Sequence, residues 1–259
     1  MIEGLEVVRD GDVARLTFTR PEKHNAISFG MWSAIPEIVR DVEADPAVKV
    51  LLLTGAGDNF SAGADISEFG DLRSNADGAA LYDKAVLGAV KALAGMVKPS
   101  VAMIRGNCIG GGCQISVACD FRFSVQGARF GITPAKLGIV YDFASTSRLV
   151  ALIGPAHARY FLLSGRLIDA TRAREIGLVN DTFAPEELER ATMDFVETLS
   201  SRSQSSVRGM NRIVEKIIEG HREPDAEVDR IRLDAVHGED YAEGVAAFLE
   251  RRTPKFTYR

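Results

Sequence analysis

The stretch Gly106–Asp120 reads GNCIGGGCQISVACD and places three consecutive glycines, Gly110–Gly112, before a short apolar segment. Glycine loses the most backbone freedom on folding, so three in a row are unfavourable inside a helix or a strand. Glycines are favoured where another group must come very close to the backbone. They are also common in tight turns between a strand and a helix, and both interpretations apply to this stretch.

Apolar runs and helical repeats alternate on both sides of these glycines. PSVAMIRG directly precedes the stretch and predicts a buried strand, as do VKVLLLTG at 48–55 and DFRFSV at 120–125. Helical spacing of apolar residues covers 29–45 and 77–96. Near the N-terminus, LEVVRDGDVARLTF predicts a hairpin. The alternation indicates an α/β fold with a sheet covered by helices.

Small residues also fill a second loop, Ser61–Asp65, which follows the strand VLLLTG. Loops at the carboxyl ends of parallel strands form the usual ligand sites of α/β sheets. Because both loops lack bulky side chains, their backbone N–H groups can approach a ligand oxygen. No Lys-Ser/Thr pair follows Gly110–Gly112, and the G-x-G-x-x-G spacing is absent, so neither standard nucleotide motif is present.

The composition is that of an ordinary soluble protein: 259 residues, 46 % hydrophobic and 26 % charged, with a formal net charge of −5. The negative charge argues against a broad nucleic-acid surface. No apolar segment is long enough to span a bilayer and no signal peptide is evident, so we expect a cytoplasmic protein without a membrane partner. The spacing of Cys108, Cys113 and Cys119 matches no zinc site, and we expect buried, reduced thiols and no metal.

The C-terminal part of the sequence has helical periodicity and no strand pattern. It starts at about residue 185, and helix breaks are expected at Pro185, 200–206, Pro224 and Gly238. We therefore divide the chain into an α/β core, residues 1–185, and a C-terminal helical section, residues 186–259.

Several ordered segments of the chain resemble one known family. NFSAGADISEF and GNCIGGGCQISVACDFRFS resemble the two signature segments of the crotonase superfamily, which is the enoyl-CoA hydratase/isomerase family. Weaker resemblances at the family spacing are TFTRPEKHNAIS, FGITPAKLGIVYD, GLVNDTF and DYAEGVAAFLERRTPKF. The resemblance implies a crotonase (ClpP-like) spiral of β-β-α units with a C-terminal helical section for trimerisation. It also implies an acyl-CoA substrate, no cofactor besides the coenzyme A of that substrate, and a homotrimer or a hexamer built from two trimers.

The resemblance assigns a role to the backbone of both glycine-rich loops. In this family two N–H groups hold the thioester carbonyl oxygen of an acyl-CoA, and by position they are those of Ala64 and Gly111. Such an oxyanion hole stabilises the enolate of the thioester, and loss of one donor typically costs about 10²–10³ in rate. The coenzyme A contacts implied by the resemblance are Lys23, Ala26, Ala62, Gly63, Asp65, Ile66, Lys255 and Phe256, the last two from this subunit or a neighbouring one. For Lys23 and Lys255 a solvated surface position is equally compatible with the sequence.

The sequence departs from the hydratase branch at both of its glutamates. One position is Gln114 and the other is Pro134. An amide can orient a substrate or a water, but it cannot carry a proton at neutral pH, and proline has no proton to offer. The acid/base pair that adds water across a double bond is therefore absent.

Other polar residues could act in place of the glutamates. Asp142 matches the working aspartate of some isomerases of the family, although Asp is also a favoured helix N-cap. Tyr141 and Thr133 match the decarboxylase branch, where they would orient a carboxylate, although Tyr141 could simply pack at a pocket edge. We predict a double-bond isomerase that uses Asp142, or a decarboxylase. The alternatives are a hydratase with atypical acid/base groups and a non-catalytic CoA-binding protein.

Overall fold

A computed structural model describes residues 2–257 of the chain. Its strands are β1 Leu5–Asp10, β2 Val13–Phe18, β3 Val50–Gly55, β4 Ser100–Ile104, β5 Asn107–Ile109, β6 Phe121–Val125, β7 Arg129–Gly131, β8 Ile168–Asp169 and β9 Asp181–Phe183. Its α-helices are α1 Phe29–Ala44, α2 Phe69–Leu72, α3 Ala76–Ala94, α4 Gly111–Ala118, α5 Phe143–Ser164, α6 Ala170–Glu175, α7 Leu188–Ser200, α8 Gln204–Ile218, α9 Ala226–His237 and α10 Glu239–Glu250.

The main sheet has six strands in the order β1-β2-β3-β4-β6-β9. The β1/β2 hairpin is antiparallel, and its turn contains Gly11 at φ 59°, as the Asp-Gly-Asp signal predicted. All other pairings in this sheet are parallel. β3 and β4 are buried along their whole length, which explains their continuous apolar sequences.

A second sheet of three short strands, β5-β7-β8, lies beside the glycine-rich stretch. The sequence did not predict it, because strands of two or three residues leave no periodic signal. A short bridge connects this sheet to the Ser61–Asp65 loop, since Ser61 pairs with Cys108 of β5, and a second bridge pairs Ala64 of the loop with Ile27, which precedes α1. The two predicted loops are thereby joined through backbone hydrogen bonds.

The C-terminal part is helical, with α7 to α10 separated at the predicted breaks. Helix α7 packs on the main sheet, where the Phe195 ring lies 4.8 Å from that of Phe121 and 5.1 Å from that of Phe123. Helix α7 is therefore part of the core packing, although it lies beyond residue 185. Helix α8 is joined to α5 by a bidentate ion pair between Arg148 and Glu215, with N–O distances of 2.6 and 2.8 Å.

Within residues 2–257 no helix has both the length and the apolar character needed to cross a membrane. The same residues hold no group of three or more His, Cys, Asp or Glu side chains that could bind a metal. Cys108, Cys113 and Cys119 are free and buried, as predicted.

Candidate active site

The loop after β3 is held in an extended shape by the second sheet. The Ser61 N–H donates to the carbonyl of Asn107 at 2.9 Å, and the Ile109 N–H donates back to the carbonyl of Ser61 at 3.0 Å. Four residues after Ser61, the Asp65 N–H donates to the carbonyl of Ile27 at 2.9 Å. These bonds place the loop side by side with the Gly110–Gly112 turn.

The glycines of the two loops allow a very close approach of the backbones. A Cβ at Gly63, whose φ is 105°, would lie 2.8 Å from the Ile109 carbonyl oxygen and 3.1 Å from the Gly111 nitrogen. A Cβ at Gly111 would lie 3.3 Å from the Ala64 nitrogen and 2.8 Å from Cζ2 of Trp32. The amides of Ala64 and Gly111 therefore border the same small space, which a side chain on Gly111 would enter.

Both amides are free to bind a ligand. Among residues 2–257, neither the Ala64 N–H nor the Gly111 N–H donates to a backbone carbonyl in the loops. Gly111 is the first residue of α4, and the first N–H groups of a helix have no partner within it. The dipole of α4 also favours negative charge at this end. The pair has the chemistry of an oxyanion hole.

The two amides open into a cavity of about 530 Å³. Its walls come from both glycine-rich loops, from α1 to α3 and from the segment before α5. Most of the lining is apolar, and the acidic groups in it are Asp83 and Asp142. Ile66, Leu137 and Val140 line the cavity and are largely exposed, so a ligand would cover apolar surface that now faces solvent.

Gln114 and Asp142 are hydrogen-bonded to each other in this cavity. The Gln114 Nε2 donates to Oδ2 of Asp142 at 3.0 Å and to Oγ of Ser145 at 2.8 Å. The other carboxylate oxygen of Asp142 accepts from the Ser145 N–H at 2.9 Å, which makes Asp142 the N-cap of α5. The capping alternative is therefore confirmed. The carboxylate nevertheless lines the cavity, so capping does not remove it from the site.

Thr133, Pro134 and Tyr141 also line the cavity, as the sequence predicted for a common site. Burial raises the pKa of the Tyr141 phenol well above its usual value, and the nearby Asp142 carboxylate acts in the same direction. A phenol is protonated at neutral pH even at its usual pKa, so Tyr141 can act as a hydrogen-bond donor. The Thr133 hydroxyl would lie 4.0 Å from a Cβ built on Gly110, beside the oxyanion hole. Pro134 starts a single 3₁₀ turn and offers no acid.

The residues expected to bind coenzyme A fall into different groups. Ala62, Gly63 and Ile66 line the cavity. Asp65 is buried, and its Oδ2 accepts from Nη2 of Arg20 at 2.8 Å and from Nζ of Lys23 at 3.1 Å. Bonds from Ser67, Arg20 and Lys23 lower the pKa of Asp65 far below its usual range, against the effect of its burial. The Asp65 carboxylate therefore holds the loop together, and Lys23 is the exposed end of this network.

Other predicted contacts lie at the edge of the site or away from it. The Ala26 carbonyl accepts a hydrogen bond from Nη1 of Arg20 at 2.8 Å. The Lys255 N–H donates to Oε1 of Glu243, and the Phe256 ring lies beside Gly244 of α10. Neither Lys255 nor Phe256 lines the cavity of its own chain. A contact between these two residues and coenzyme A would have to be made at the site of a neighbouring subunit.

The sequence did not identify three side chains of the cavity wall. Trp32 and Tyr82 are almost completely buried, and both line the cavity. Arg73 lies in the same wall, over the Tyr82 ring. Trp32 and Tyr82 fit a helical apolar repeat, which predicts a core position just as well, and Arg73 follows no motif. These three side chains are identified as part of the site only because the fold brings them together in the cavity wall.

Comparison with known proteins places this site in a family. The family model described as enoyl-CoA hydratase/isomerase matches residues 9–259. The chain therefore belongs to the enoyl-CoA hydratase/isomerase family, as its two glycine-rich loops predicted.

Individual relatives cover nearly the whole chain. A probable enoyl-CoA hydratase of Mycobacterium tuberculosis is 32 % identical over 99 % of each chain. A peroxisomal Delta(3,5)-Delta(2,4)-dienoyl-CoA isomerase of Arabidopsis thaliana is 28 % identical and covers 97 % of this chain and 96 % of its own. The crystal structure of an enoyl-CoA hydratase/isomerase family protein from Hyphomonas neptunium superposes with a TM-score of 0.95 at 35 % identity, covering 99 % of this chain and 98 % of its own. The predicted crotonase fold is thereby confirmed.

Proposed function

We propose that this chain is an acyl-CoA double-bond isomerase in which Asp142 moves the proton. One observation carries the proposal: the Asp142 carboxylate lines the same cavity as the free amides of Ala64 and Gly111. The two positions where hydratases of the family carry glutamates hold Gln114 and Pro134. The cavity thus combines an oxyanion hole with the Asp142 carboxylate, which is anchored at the head of α5, while Asp83, the other acid of the lining, is paired with Arg73.

The proposed reaction uses each of these groups for one task. The Asp142 carboxylate removes a proton from the carbon next to the thioester of a 3-enoyl-CoA, and the electron pair moves onto the thioester oxygen. The N–H groups of Ala64 and Gly111 stabilise the resulting dienolate. The carboxylic acid of Asp142 then returns the proton at the far end of the former double bond, which yields the 2-enoyl-CoA.

Gln114 is well suited to position the carboxylate in this scheme. Its Nε2 hydrogen bond at 3.0 Å and the capping bond from the Ser145 N–H hold the two oxygens of Asp142 in place. A glutamine donates to a carboxylate without competing for the proton, whereas a second carboxylate at this distance would repel it. The substitution of the hydratase glutamate therefore favours a one-carboxylate mechanism.

Decarboxylation is the second candidate, and the position of Tyr141 and Thr133 favours it. Both residues line the cavity and carry neutral hydroxyl donors. Such donors could orient a substrate carboxylate that leaves as carbon dioxide, and the electron pair would again pass to the thioester oxygen. This reaction needs the oxyanion hole but no strong base.

A panel of acyl-CoA thioesters with product identification tests the proposal. We expect a 3-enoyl-CoA to give the 2-enoyl-CoA of unchanged mass in H₂O. In D₂O the product should carry deuterium to the extent that the carboxylic acid of Asp142 exchanges with solvent before it returns the proton. Loss of carbon dioxide from a 2-carboxyacyl-CoA would establish the second candidate instead. Rapid hydration of crotonyl-CoA would contradict the inference that hydration requires the two missing glutamates. Binding without turnover of any thioester would indicate a CoA-binding protein.

We also propose that the chain assembles into a homotrimer or a hexamer through its C-terminal helices. These helices expose large apolar side chains that a monomer would leave in water: Met210, Val214, Ile217, Leu233, Val236, Tyr241, Val245, Phe248 and Leu249. Assembly would also bring Lys255 and Phe256 to a neighbouring subunit. Light scattering coupled to size-exclusion chromatography should give the mass of three or six chains, and the mass of one chain would contradict this proposal.

A further inference from the structure

Arg73 is held in the cavity wall by aromatic rings. It follows α2, and its guanidinium carbon lies 5.1 Å from the centre of the Phe69 ring and 5.4 Å from that of Tyr82. The two rings pack edge to face, with centres 5.3 Å apart. A guanidinium over aromatic faces is attracted by their π electrons and loses little further freedom when it binds a ligand. The side chain of Arg73 is only 20 % exposed, so this cation is fixed in the wall.

Most of the hydrogen-bonding capacity of Arg73 remains available. A guanidinium has five N–H donors. Its ion-pair partner is Asp83, with an Nη2–Oδ1 distance of 3.2 Å, but the Asp83 side chain is 64 % exposed, and such a solvated pair contributes little. Among residues 2–257 Asp83 is the ion-pair partner of Arg73, and it engages one nitrogen of the guanidinium. A ligand carboxylate could therefore replace the exposed Asp83 side chain as the partner of Arg73.

A continuous wall connects Arg73 to the oxyanion hole. The Trp32 ring lies directly against Gly111, since a Cβ on Gly111 would be 2.8 Å from its Cζ2. The indole N–H lies beside the Tyr82 hydroxyl, and the Tyr82 ring in turn lies under Arg73. Both Nε1 of Trp32 and the hydroxyl of Tyr82 are buried without a well-aligned hydrogen-bond partner. Two aromatic side chains thus separate the cation from the amides, so a group at Arg73 would be remote from the reacting carbons.

We infer that the cavity takes the CoA thioester of a dicarboxylic acid, whose distal carboxylate binds to Arg73. This inference rests on the proposed acyl-CoA function and specifies its substrate class. A carboxylate in an apolar cavity is unfavourable unless it is paired. A guanidinium can pair with it through two parallel N–H···O bonds, which gives both charge compensation and orientation. Lys84 at the exposed rim of the same cavity balances the charge of Asp83, so that Arg73 supplies the excess positive charge for a ligand carboxylate.

Binding of saturated thioesters tests the inference without depending on the reaction. Dissociation constants would be measured by titration calorimetry for glutaryl-, adipoyl- and suberyl-CoA, and for the monoacid thioesters of equal length, including hexanoyl-CoA. We expect the best diacid to bind at least about tenfold more tightly than its matched monoacid, as for a hydrogen-bonded charge pair. Arg73→Gln should abolish this preference and leave monoacid binding unchanged, and Arg73→Lys should keep part of it.

Lys91→Gln is the matched control, because Lys91 lies exposed on α3, does not line the cavity, and its removal changes the net charge equally. Equal weakening of diacid and monoacid binding by Arg73→Gln would assign Arg73 to coenzyme A and overturn the inference. The absence of a diacid preference in the unchanged protein would also overturn it while leaving the proposed function intact. If no thioester binds, hexanoyl-CoA included, the acyl-CoA function itself fails and the inference fails with it.

Discussion

Gly111→Ala is expected to lower kcat/KM by about 10²–10³-fold on whichever acyl-CoA the enzyme turns over, because it blocks the oxyanion hole. The added methyl would lie 3.3 Å from the Ala64 nitrogen, in the space that both amides border. A thioester oxygen could then no longer reach the two N–H groups together. The loss should affect isomerisation and decarboxylation equally, since both pass through an enolate. Steady-state kinetics on the substrate found in the panel would measure it.

Two controls separate this effect from simple loss of stability. Gly127→Ala introduces the same methyl where no atom lies within 4 Å, and its kinetics should be unchanged. The methyl on Gly111 would also lie 2.8 Å from Cζ2 of Trp32, so the variant must be shown to be folded by its thermal unfolding curve. Gly111→Ala combined with Trp32→Phe relieves that contact. Recovery of activity in the double variant, or near-normal activity in the single one, would contradict the oxyanion role of Gly111.

Asp142→Asn is expected to lower kcat for double-bond isomerisation by about 10²–10⁴-fold, the usual contribution of a general acid/base. Stability should change little, because Asn caps a helix nearly as well as Asp. The Gln114 amide can rotate so that its oxygen accepts a hydrogen bond from the new side-chain amide. The measurement is the rate of double-bond migration and of deuterium incorporation in D₂O.

Asp169→Asn provides a matched control for this substitution. Asp169 is the N-cap of α6, where its Oδ1 accepts from the Arg172 N–H at 2.8 Å, and it does not line the cavity. Its replacement should leave turnover unchanged. If Asp142→Asn also retained full isomerase turnover, Asp142 would serve only as a cap. Loss of turnover in Tyr141→Phe instead would then favour decarboxylation.

The parts of the fold that could be predicted are those whose residues interact with near neighbours in sequence. The apolar runs of β3 and β4 identified buried strands, and the repeat at 29–45 predicted the helix that the structure places at Phe29–Ala44. The sheet β5-β7-β8 escaped prediction because its strands are too short for a periodic signal. The sequence also gave no indication of the role of Asn25, which lies in the segment TFTRPEKHNAIS. In the structure Asn25 is fully buried at φ 56°, and its Nδ2 donates to the carbonyls of Ala56 and Asn59. Those partners lie more than thirty residues away.

The same distinction between local and long-range interactions applies to the candidate site. The oxyanion loops could be predicted because a backbone that must approach a ligand closely needs small residues at that point of the sequence. The sequence also showed that Gln114 and Pro134 occupy the two positions of the hydratase glutamates. The sequence could not show that Gln114 would donate to Asp142, twenty-eight residues later. It could not show either that Arg73 would lie over Phe69 and Tyr82 in the same wall.

The sequence by itself determined that two loops of small residues follow two buried strands and that no glutamate stands at the hydratase positions. Only the tertiary structure decided that the amides of Ala64 and Gly111 share one space, that Asp142 is held beside it, and that the Arg73 cation lies in the cavity wall with an exposed carboxylate, Asp83, as its ion-pair partner. The physical reason is that residue type limits what a position can do, whereas catalysis and recognition depend on distances between groups that the chain brings together only when it folds.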